Sequence, residues 1–444
     1  YKGSHLAMLD LDLIRSNSAL VHQALKRRGD DTKLEPILDL DMRRREAVHE
    51  GDNLREKRND VSQRIGHLLN ESKRTNDQDQ AKELSIRVED MKEAMRTVGE
   101  EIKALENQVR ELGEHLNSIL LTLPNIPLPN VPEGRDETAN TIVRTEGEPA
   151  SFDFSPLAHW DLAERLGIID FERGAKLSGS RFYLLSGAGA RLQRSLISWM
   201  LDLHSNEHGY TEIYPPAVVL QEVMQGSGNL PKFNENLYHD EEDDLWLIPS
   251  AEVPLTGLHR NEVLEPGALP KNYVSYTPCF RREKAAAGRD TRGIKRVHQF
   301  DKVELYKLVE PERSGEELLT LLGNAEEVIR GLGIPYRVVQ LCTGDLGFQS
   351  AMSYNLEMWA PGCMEWLEVS SCSNCTDFQA RRSNIRFRRE HGGKLDLPHT
   401  LNGSGLAIPR VMIAILETFQ RSDGSVVIPE VLRPYTGFEV INPQ

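Results

Sequence analysis

The sequence predicts an α+β protein in which an N-terminal antiparallel two-helix coiled-coil arm precedes an antiparallel β-sheet core flanked by helices. Two observations support this fold class. Apolar residues repeat in steps of three and four through residues 84–123, whereas short β-like runs alternate with amphipathic helices after residue 150. A chain of 444 residues is also too long for one ordinary domain, so we expect two or three.

The arm is predicted from two helical segments joined by a polar turn. The second segment carries the a/d seam of a coiled coil, formed by Leu84, Val88, Met91, Met95, Val98, Ile102, Leu105, Val109, Leu112, Leu116, Ile119 and Leu123. The first segment has a thinner seam at every seventh residue, namely Leu40, Ala47, Leu54, Val61 and Leu68. The polar run Asn70–Asp79 indicates the turn. We therefore expect an intramolecular hairpin over about residues 40–115, with a dimerising coiled coil as the alternative.

Proline marks the end of the arm. Four prolines within Leu123–Pro132 cannot continue a helix and favour an extended linker. We expect an N-terminal domain at residues 8–123, a linker at 124–150 and a second domain at 151–444. Residues 1–7 are expected to be the remnant of an added tag ahead of Met8.

Composition limits the function classes. The formal net charge of −15 argues against attraction of nucleic acid to the whole surface, so any such binding requires a local basic surface. The five cysteines are too few and odd in number for a disulfide framework, which favours a reducing cytoplasm. The sequence contains no run of 18 apolar residues, so it predicts no membrane span. Cys372-Ser-Asn-Cys375 has the spacing of half a zinc site, but no second pair follows, and we expect no zinc.

The second domain mixes strands and helices without βαβ repetition. The predicted strands are Tyr273–Phe280, Val297–Tyr306, Tyr336–Gln340 and Trp366–Ser371. Ser314-Gly-Glu-Glu317 has the pattern of a capping box before a helix whose apolar stripe is Leu318, Leu322, Ala325 and Ile329. The helix Ala190–His204 presents Leu192, Leu196, Trp199, Met200 and Leu203, more apolar surface than one covering layer requires, which indicates a homodimer.

The densest group of chemically active residues lies in a predicted hairpin. It comprises Phe280-Arg-Arg-Glu283, the basic loop Gly288–Gly293 and the strand that follows. Alternation along that strand places His298, Phe300, Lys302, Glu304 and Tyr306 on one face. An aromatic ring, a carboxylate and the guanidinium of Arg281 are suited to a phosphate-bearing ligand. A solvated charged hairpin, with Lys302 as a surface cation, is the alternative.

These residues resemble motif 2 of the class II aminoacyl-tRNA synthetases. Gly403–Arg410 resembles their motif 3, and Gly209–Pro216 resembles motif 1, a dimer-interface element. Within that class, the chain from Met8 to Ile441 is similar to the seryl-tRNA synthetases of the bacterial type. The sequence marks of that likeness are Gly228–Phe233, Ile248–Pro254, His298–Glu304, Glu368–Asn374 and Thr400–Gly405.

The resemblance implies an activity and its partners. The enzyme would activate L-serine with ATP, as a substrate, to seryl-adenylate in the presence of Mg²⁺. It would then transfer serine to the 3′-terminal adenosine of tRNA(Ser), bound through the helical arm, with tRNA(Sec) as a further candidate acceptor. The resemblance also implies a cytoplasmic homodimer joined through the motif 1 region, and it implies no membrane partner.

The resemblance also assigns the site residues. Catalytic roles fall to Arg281, Glu304 and Arg410. Serine binding falls to Ser250, Ala251, Glu252, Arg281, Glu304 and Ser404. ATP binding falls to Arg281, Arg282, Glu283, Val297, Phe300, Glu368, Val369, Ser370, Ser371 and Arg410. Glu368 and Ser371 would hold Mg²⁺, which prefers hard oxygen ligands.

The chain departs from the usual family pattern at three places. Ser250 stands where a threonine is usual, Met352 where a lysine is expected, and Lys284-Ala-Ala-Ala287 is an unusual loop. Two other functions are compatible with an activation core: a ligase that charges a carrier protein, and a non-catalytic paralogue. The first would not need the long arm, and the second would require loss of Arg281, Glu304 or Arg410, all of which are present.

Overall fold

The structure is a computed structural model that describes residues 11–284 and 292–444. These residues form two compact units. The arm unit comprises the residues up to Ser18 together with Thr32–Leu123, and the core unit comprises Ala19–Asp31 and Pro124–Gln444. The expected tag at residues 1–7 and the loop residues 285–291 lie outside the described residues. Within the described ranges, no helix is both long and apolar enough to span a bilayer.

The arm is a helical hairpin formed within one chain, as predicted. The N-terminal helices are α1 (Leu11–Ser16), α2 (Ser18–Arg27), α3 (Glu35–Arg74) and α4 (Gln78–Leu120). Helix α4 begins after Asp77, whose carboxylate accepts the amide N–H groups of Asp79 and Gln80 at 2.9 and 3.3 Å. All twelve predicted seam residues of the second segment are buried or half-buried, and α3 and α4 pack against each other.

The core unit contains nearly all of α2 and the helices that follow the arm. The helices that follow the arm are α5 (His159–Leu166), α6 (Phe171–Ser178), α7 (Gly187–Asn206), α8 (Gln221–Ser227), α9 (Glu252–Gly257), α10 (Ser314–Leu332), α11 (Phe378–Ser383), α12 (Ile408–Thr418) and α13 (Arg433–Thr436). Helix α12 packs against the central sheet, and nearly all of its residues are buried.

The strands of the core unit form one large sheet and several small ones. The large sheet contains β1 (Thr141–Glu146), β4 (Thr211–Glu212), β9 (Lys271–Phe280), β10 (Gln299–Val309), β11 (Tyr336–Gln340), β12 (Met352–Ala360), β13 (Glu365–Thr376) and β16 (His399–Ala407). The smaller sheets contain β2 (Ile169–Asp170), β3 (Leu184–Leu185), β5 (Val218–Leu220), β6 (His239–Asp240), β7 (Leu245–Leu247), β8 (Val263–Leu264), β14 (Arg386–Arg388), β15 (Leu395–Asp396), β17 (Val426–Val427) and β18 (Val440–Ile441).

The order of the large sheet is β1-β11-β12-β13-β16-β10-β9-β4. Every neighbouring pair is antiparallel except β4 and β9, which are parallel. The four predicted strands correspond to β9, β10, β11 and β13, with ends that differ by a few residues. The antiparallel core flanked by helices confirms the predicted fold class.

Helix α7 overturns the argument made for a dimer. Its apolar side chains Leu192, Leu196 and Met200 are 0% exposed within one chain, and Trp199 is 9% exposed. They pack in the main core of the unit and are not available to a second copy. The prediction that α7 has more apolar surface than one chain can cover was wrong, because several neighbouring elements pack against this helix and the sequence does not show them. A dimer interface therefore requires other residues.

The predicted capping box of α10 does not form. The Ser314 hydroxyl donates to the Pro311 carbonyl at 3.0 Å, and the Glu317 carboxylate pairs with the buried Lys307 ammonium at 2.9 Å. Because a buried ammonium needs a partner more than a helix terminus needs a cap, the tertiary contact decides the position of Glu317. The predicted apolar stripe of this helix is nevertheless buried as expected.

Candidate active site

The large sheet forms the floor of one pocket of about 1000 Å³ in the core unit. Strands β10, β13 and β16 contribute to it, with the segment that follows β9 and the start of α12 at its side. Its charged lining residues are mixed in sign, with cations at Arg281, Lys295, Arg296, Lys302 and Arg410 and carboxylates at Glu252, Glu283, Glu304 and Glu368. A concave pocket with convergent ionised groups of both signs is suited to a zwitterionic or polyphosphate ligand.

Two irregularities of strand pairing place the polar residues in this pocket. In β13 the pairing with β12 skips Val369, which is therefore an extra, unpaired residue. Glu368 and Ser371 are three positions apart and would lie on opposite faces of a regular strand, but with the extra residue both line the pocket. In β16 the extra residue is Gly405, which brings Ser404 and Ala407 to the same wall. An extra residue reverses the alternation of side chains along a strand, so each bulge reorients one side of the site.

At one end of the pocket a hydroxyl joins two buried charges. The Ser250 hydroxyl donates to the Glu304 carboxylate at 2.7 Å and accepts from the Lys302 ammonium at 2.9 Å. Lys302 and Glu304 also form a direct ion pair, and their side chains are buried. Lys302 is therefore not the surface cation considered as an alternative. A buried pair with these hydrogen bonds is held in one geometry.

Next to this pair, Glu252 is held by side-chain amides. Gln379, Asn402 and Gln349 donate to its Oε1 atom at 2.6, 3.0 and 3.2 Å. Burial and the neighbouring Glu304 carboxylate raise the pKa of Glu252 to about 7, against the lowering effect of Lys302 and the amide donors. A carboxylate with this pKa favours an incoming cationic group, which would stabilise its ionised form.

At the other end of the strand β10, an aromatic ring and a guanidinium lie together. The Arg281 guanidinium carbon is 5.1 Å from the centre of the Phe300 ring. Its Nε atom donates to the Pro249 carbonyl at 3.2 Å, which helps to fix the side chain beside the ring. Phe300, Lys302 and Glu304 alternate along β10, so the pocket floor runs about 13 Å from ring to carboxylate.

The remaining charged wall comes from α12 and β13. Arg410 is the third residue of α12, and its guanidinium donates to the Glu368 carbonyl at 2.6 Å. The same guanidinium is 3.7 Å from the Glu368 carboxylate, and that side chain is 47% exposed. This part of the pocket is thus open, with a cation and an acidic oxygen donor side by side.

Most of the residues assigned from the sequence meet in this pocket. Those that line it are Ser250, Glu252, Arg281, Glu283, Val297, Phe300, Glu304, Glu368, Val369, Ser371, Ser404 and Arg410. The structure does not bring Ala251, Arg282 and Ser370 to its wall. Ala251 packs in a separate apolar cluster, Arg282 donates to the Leu237 carbonyl at 2.8 Å, and the Ser370 hydroxyl donates to the Ser404 carbonyl at 2.7 Å.

The sequence assignment missed the amides that surround Glu252. Asn402 lies two residues before Ser404 on the same strand, so alternation could have indicated it. Gln349 lies in a loop and Gln379 on the short helix α11, and neither has a local sequence signal. Residues brought together from separate loops and helices are visible only once the fold is known.

A separate cluster of metal-ligating side chains lies outside the lining of the pocket. Within the described residues, His159, Cys363 and Glu417 form the one group of this kind. The His159 Nδ1–H donates to Glu417 at 2.9 Å, while its Nε2 atom accepts the Ile294 N–H at 3.2 Å. Both ring nitrogens are therefore engaged, and metal binding at Nδ1 would force two N–H groups together at Nε2. The cluster is a structural hydrogen-bond centre.

Comparison with known proteins identifies the family. A model described as the seryl-tRNA synthetase N-terminal domain matches residues 8–127, and one described as the tRNA synthetase class II core domain (G, H, P, S and T) matches residues 232–419. The chain is 56% identical over 430 residues to the serine–tRNA ligase of Thermomicrobium roseum, covering 97% of this chain and 94% of that protein. The chain belongs to the seryl-tRNA synthetase family.

Other relatives agree with this membership. The serine–tRNA ligase of Dehalococcoides mccartyi is 54% identical over 434 residues, which cover 98% of this chain and 100% of that protein. The solved seryl-tRNA synthetase from Pyrococcus horikoshii, complexed with ATP, has a TM-score of 0.90 at 41% identity and covers 98% of this chain and 100% of that one. As a member of this family, the protein is a class II ligase with the activity of a serine–tRNA ligase. The match of both the arm and the core excludes the carrier-protein ligase considered above.

Proposed function

We propose that the pocket on the large sheet binds serine and ATP together and forms seryl-adenylate. The observation that carries this proposal is the polarity along β10, where an aromatic ring and Arg281 lie at one end and a buried carboxylate pair lies at the other. The ring suits a purine base, and the carboxylates suit an ammonium group. The reacting carboxylate and α-phosphate would then meet between them, within reach of Arg281.

The serine end is formed by Ser250, Glu252, Glu304 and Ser404. In this proposal the ammonium group binds Glu252 and Glu304, and the hydroxyl binds among the polar groups around Ser404. Three side-chain amides fix Glu252, so the carboxylate is oriented before serine arrives. The Lys302 ammonium pairs with the Glu304 carboxylate and so reduces the repulsion between Glu304 and Glu252 in one buried region.

The ATP end is formed by Phe300, Glu283, Arg281 and Arg410. Phe300 stacks on the adenine, Glu283 contacts its edge, and Val297 packs beside it. Arg281 binds the α-phosphate and the serine carboxylate, while Arg410 pairs with the terminal phosphate. These contacts use planar guanidinium groups, which match the geometry of phosphate and carboxylate oxygens.

The first reaction step follows from charge. A serine carboxylate oxygen attacks the α-phosphorus, the bond to the β-phosphate oxygen breaks, and pyrophosphate leaves. Both reactants are anionic, so cationic groups must offset their repulsion, and we assign this role to Arg281 and Arg410. In the second step the 3′-hydroxyl of the terminal tRNA adenosine attacks the seryl carbonyl, and AMP leaves. Both nucleophiles belong to substrates, so we assign no protein nucleophile.

A magnesium ion fits the residues on β13. Glu368 and Ser371 both present oxygen donors to the pocket because of the bulge between them, and the remaining ligands would come from ATP phosphates. Hard oxygen donors in small number are what Mg²⁺ prefers beside a nucleotide. When bound, Mg²⁺ neutralises phosphate charge. We also propose the neighbouring Val369 as a contact for ATP at this wall.

The arm is proposed as the tRNA-binding surface. Helix α3 carries many cationic side chains, namely Arg43, Arg44, Arg45, Arg55, Lys57, Arg58, Arg64, Lys73 and Arg74. Most of them lie on the solvent side of the hairpin and can contact phosphates despite the acidic total charge, whereas Arg55 is paired with Asp52 and Glu106 and is not proposed as a phosphate contact. We propose tRNA(Ser) as the substrate and tRNA(Sec) as a second acceptor.

A homodimer through the motif 1 region is proposed on new grounds. Strand β4 is at the edge of the large sheet, and both of its residues are exposed. Tyr214, three residues after Thr211, is 86% exposed, an unusual state for an aromatic side chain next to an open strand edge. In sedimentation velocity at micromolar concentration, we expect a dimer for the unaltered chain and a monomer for Tyr214→Asp. A dimer in both would place the interface elsewhere.

A cytoplasmic location is proposed together with this activity. Serine, ATP and uncharged tRNA are used where protein synthesis takes place. All five cysteines have free thiols, which is the state that a reducing compartment maintains.

The decisive experiment measures both steps with the same preparation. We expect serine-dependent exchange of labelled pyrophosphate into ATP, followed by transfer of labelled serine to purified tRNA(Ser). Ribonuclease should degrade the labelled product, and brief alkali should release serine from it by hydrolysis of the ester bond. Both results would identify the acceptor as tRNA. Exchange without charging of tRNA would contradict the second step, and a lack of serine-dependent exchange would contradict the first.

A further inference from the structure

The loop at residues 346–350 is held by the chain segments on either side of the arm. Arg28 supplies the first part of this anchor. Its Nη2 atom donates to the carbonyls of Leu346 and Gly347 at 2.9 and 2.8 Å, and its Nη1 atom donates to the Ser350 carbonyl at 2.8 Å. The same Nη1 atom also reaches the Asn125 carbonyl at 3.2 Å. One guanidinium therefore joins three carbonyls of a single loop.

Asn125 supplies the second part. Its backbone N–H donates to the Phe348 carbonyl at 2.9 Å, and its side-chain amide donates to the Gln349 carbonyl at 2.9 Å. The amide also donates to the Cys375 carbonyl at 2.7 Å, which ties the loop to β13. Together, Arg28 and Asn125 donate to all five consecutive carbonyls from Leu346 to Ser350. Such complete satisfaction fixes the backbone of a loop that has no regular structure of its own.

This loop forms part of the serine end of the pocket. Gly347, Gln349 and Ser350 line the pocket, and the Gln349 amide donates to Glu252 at 3.2 Å. The position of the Gln349 side chain depends on its backbone, and its backbone carbonyl is bound by Asn125. The contacts thus continue from the two anchoring residues through Gln349 to the carboxylate proposed to bind the serine ammonium.

Both anchors lie where the chain passes between the two compact units. Arg28 is in the segment Ala19–Asp31, which belongs to the core unit although arm residues flank it on both sides. Asn125 is the second residue after Leu123, where the arm unit ends. One anchoring residue therefore lies in the core-unit segment that interrupts the arm sequence, and the other lies just after the arm sequence ends.

We propose that Arg28 and Asn125 are positioning residues for serine, which set Gln349 against Glu252 and so determine the affinity for the amino acid. This inference rests on the proposed function, in which Glu252 binds the serine ammonium. Neither residue lines the pocket. Their effect is therefore transmitted through the loop and should be specific to the serine end, since the loop residues that line the pocket, Gly347, Gln349 and Ser350, are not among those proposed to bind ATP.

The chemistry of Arg28 makes it hard to replace. Its burial lowers its pKa to about 10, against the raising effect of Asp30, so it remains a cation at neutral pH. A planar guanidinium can donate to several carbonyls in fixed directions, whereas a lysine ammonium has three donors at one point. Arg28→Lys keeps the charge but cannot bridge carbonyls at both ends of the loop.

The test compares neighbouring arginines in the full-length chain. Arg27 donates to the Val131 carbonyl at 3.0 Å and pairs with Glu133 at 3.2 Å, and neither of these partners belongs to the loop. In serine-dependent pyrophosphate exchange, we expect Arg28→Lys to raise the KM for serine about tenfold while changing the KM for ATP less than about twofold. Arg27→Lys should leave both values unchanged. Asn125→Asp, which keeps the shape but loses the amide donor, should act like Arg28→Lys.

A double-mutant cycle with Gln349→Leu separates positioning from general destabilisation. If Arg28 acts through Gln349, the serine KM of the double variant should be close to that of Gln349→Leu alone, because the contact is already lost. Multiplied effects of the two changes would overturn the inference, as would equal rises of the serine and ATP KM values in Arg28→Lys and Asn125→Asp. Absence of serine-dependent exchange in the unaltered chain would instead contradict the proposed function.

Discussion

The arm and the core unit bury different kinds of residue. The arm hairpin buries an apolar seam such as Val88, Val98 and Ile102, while its charged side chains are largely exposed. The core unit also buries ionisable groups such as Glu252, Lys302 and Glu304, together with the side-chain amides of Gln379 and Asn402. The arm therefore depends on a repeated apolar contact, and the core depends on individual polar contacts that must all be satisfied.

This difference has a functional consequence. A solvent-exposed cation on the arm can be replaced with little effect on folding, because it has few packing contacts. A buried ionised group in the core cannot lose its partner without leaving an unpaired charge. The arm is thus suited to adjust binding of a large polyanion, whereas the core is suited to hold small reactants in a fixed geometry. The following predictions test this division, from the largest expected effect to the smallest.

The largest effect is expected at Arg281. Arg281→Ala should lower kcat/KM for pyrophosphate exchange by about 10³-fold, because a preorganised cation at the reacting phosphate is lost. The control is the adjacent Arg282→Ala, since Arg282 is bound to the Leu237 carbonyl and stacks on Tyr238 at 4.5 Å, outside the pocket wall. Equal losses of kcat/KM in the two variants would show that Arg282 also belongs to the active site.

A smaller effect, confined to the tRNA step, is expected on the arm. Lys57, Arg58 and Arg64 are exposed or partly exposed cations of α3 without an ion pair to another described residue. Replacing all three by alanine should lower kcat/KM for tRNA by about 100-fold at low salt and leave pyrophosphate exchange unchanged. Arg55→Ala is the matched control, because Arg55 is neutralised by Asp52 and Glu106 at 2.6 and 2.9 Å. Equal loss in the control, or a parallel loss of exchange, would contradict separate roles for the units.

A pH effect is expected at the serine end. The pKa of Glu252 is raised to about 7, so this carboxyl is protonated in an increasing fraction of molecules as the pH falls below 7. Serine ammonium binds the ionised form, and the KM for serine should therefore fall about tenfold between pH 6 and pH 8. The KM for ATP over the same range serves as the internal control. A pH-independent ratio of the two KM values would remove Glu252 from serine binding.

The smallest effect concerns Ser250. Its hydroxyl already has three partners, namely Glu304, Lys302 and the Glu252 N–H. Ser250→Thr would keep the hydroxyl and add a methyl group beside the proposed serine site. We expect the discrimination of serine against threonine in pyrophosphate exchange to rise about threefold, with little change for serine itself. An unchanged ratio would show that this position does not form the wall that excludes the extra methyl group.

The periodicity of the arm predicted its structure well because each seam position repeats the same local rule. A helix needs only that its apolar residues recur every three or four positions, and the twelve seam residues do so without interruption. The turn and both helix ends were predicted to within a few residues for the same reason. The strands β9 to β11 and β13 were also predicted, since alternation and flanking turns are local signals.

Alternation within one strand also predicted much of the pocket. Phe300 and Glu304 lie two pleats apart on β10, and the structure keeps both in the pocket. Alternation does not hold throughout β13 and β16, because the bulges at Val369 and Gly405 reverse it. The sequence contains no local signal for the Val369 bulge, whose position depends on pairing with β12.

The sequence by itself determined the helical hairpin, the alternating strands and the positions of the ionisable residues, because these depend on local propensity and periodicity. Only the tertiary structure decided that Leu192, Leu196 and Met200 of α7 are buried within one chain, that Lys302 is a buried partner of Glu304, and that Arg28 and Asn125 hold the loop beside Glu252. Those features depend on residues far apart in the chain, and burial makes each polar group require a partner that the local sequence does not specify.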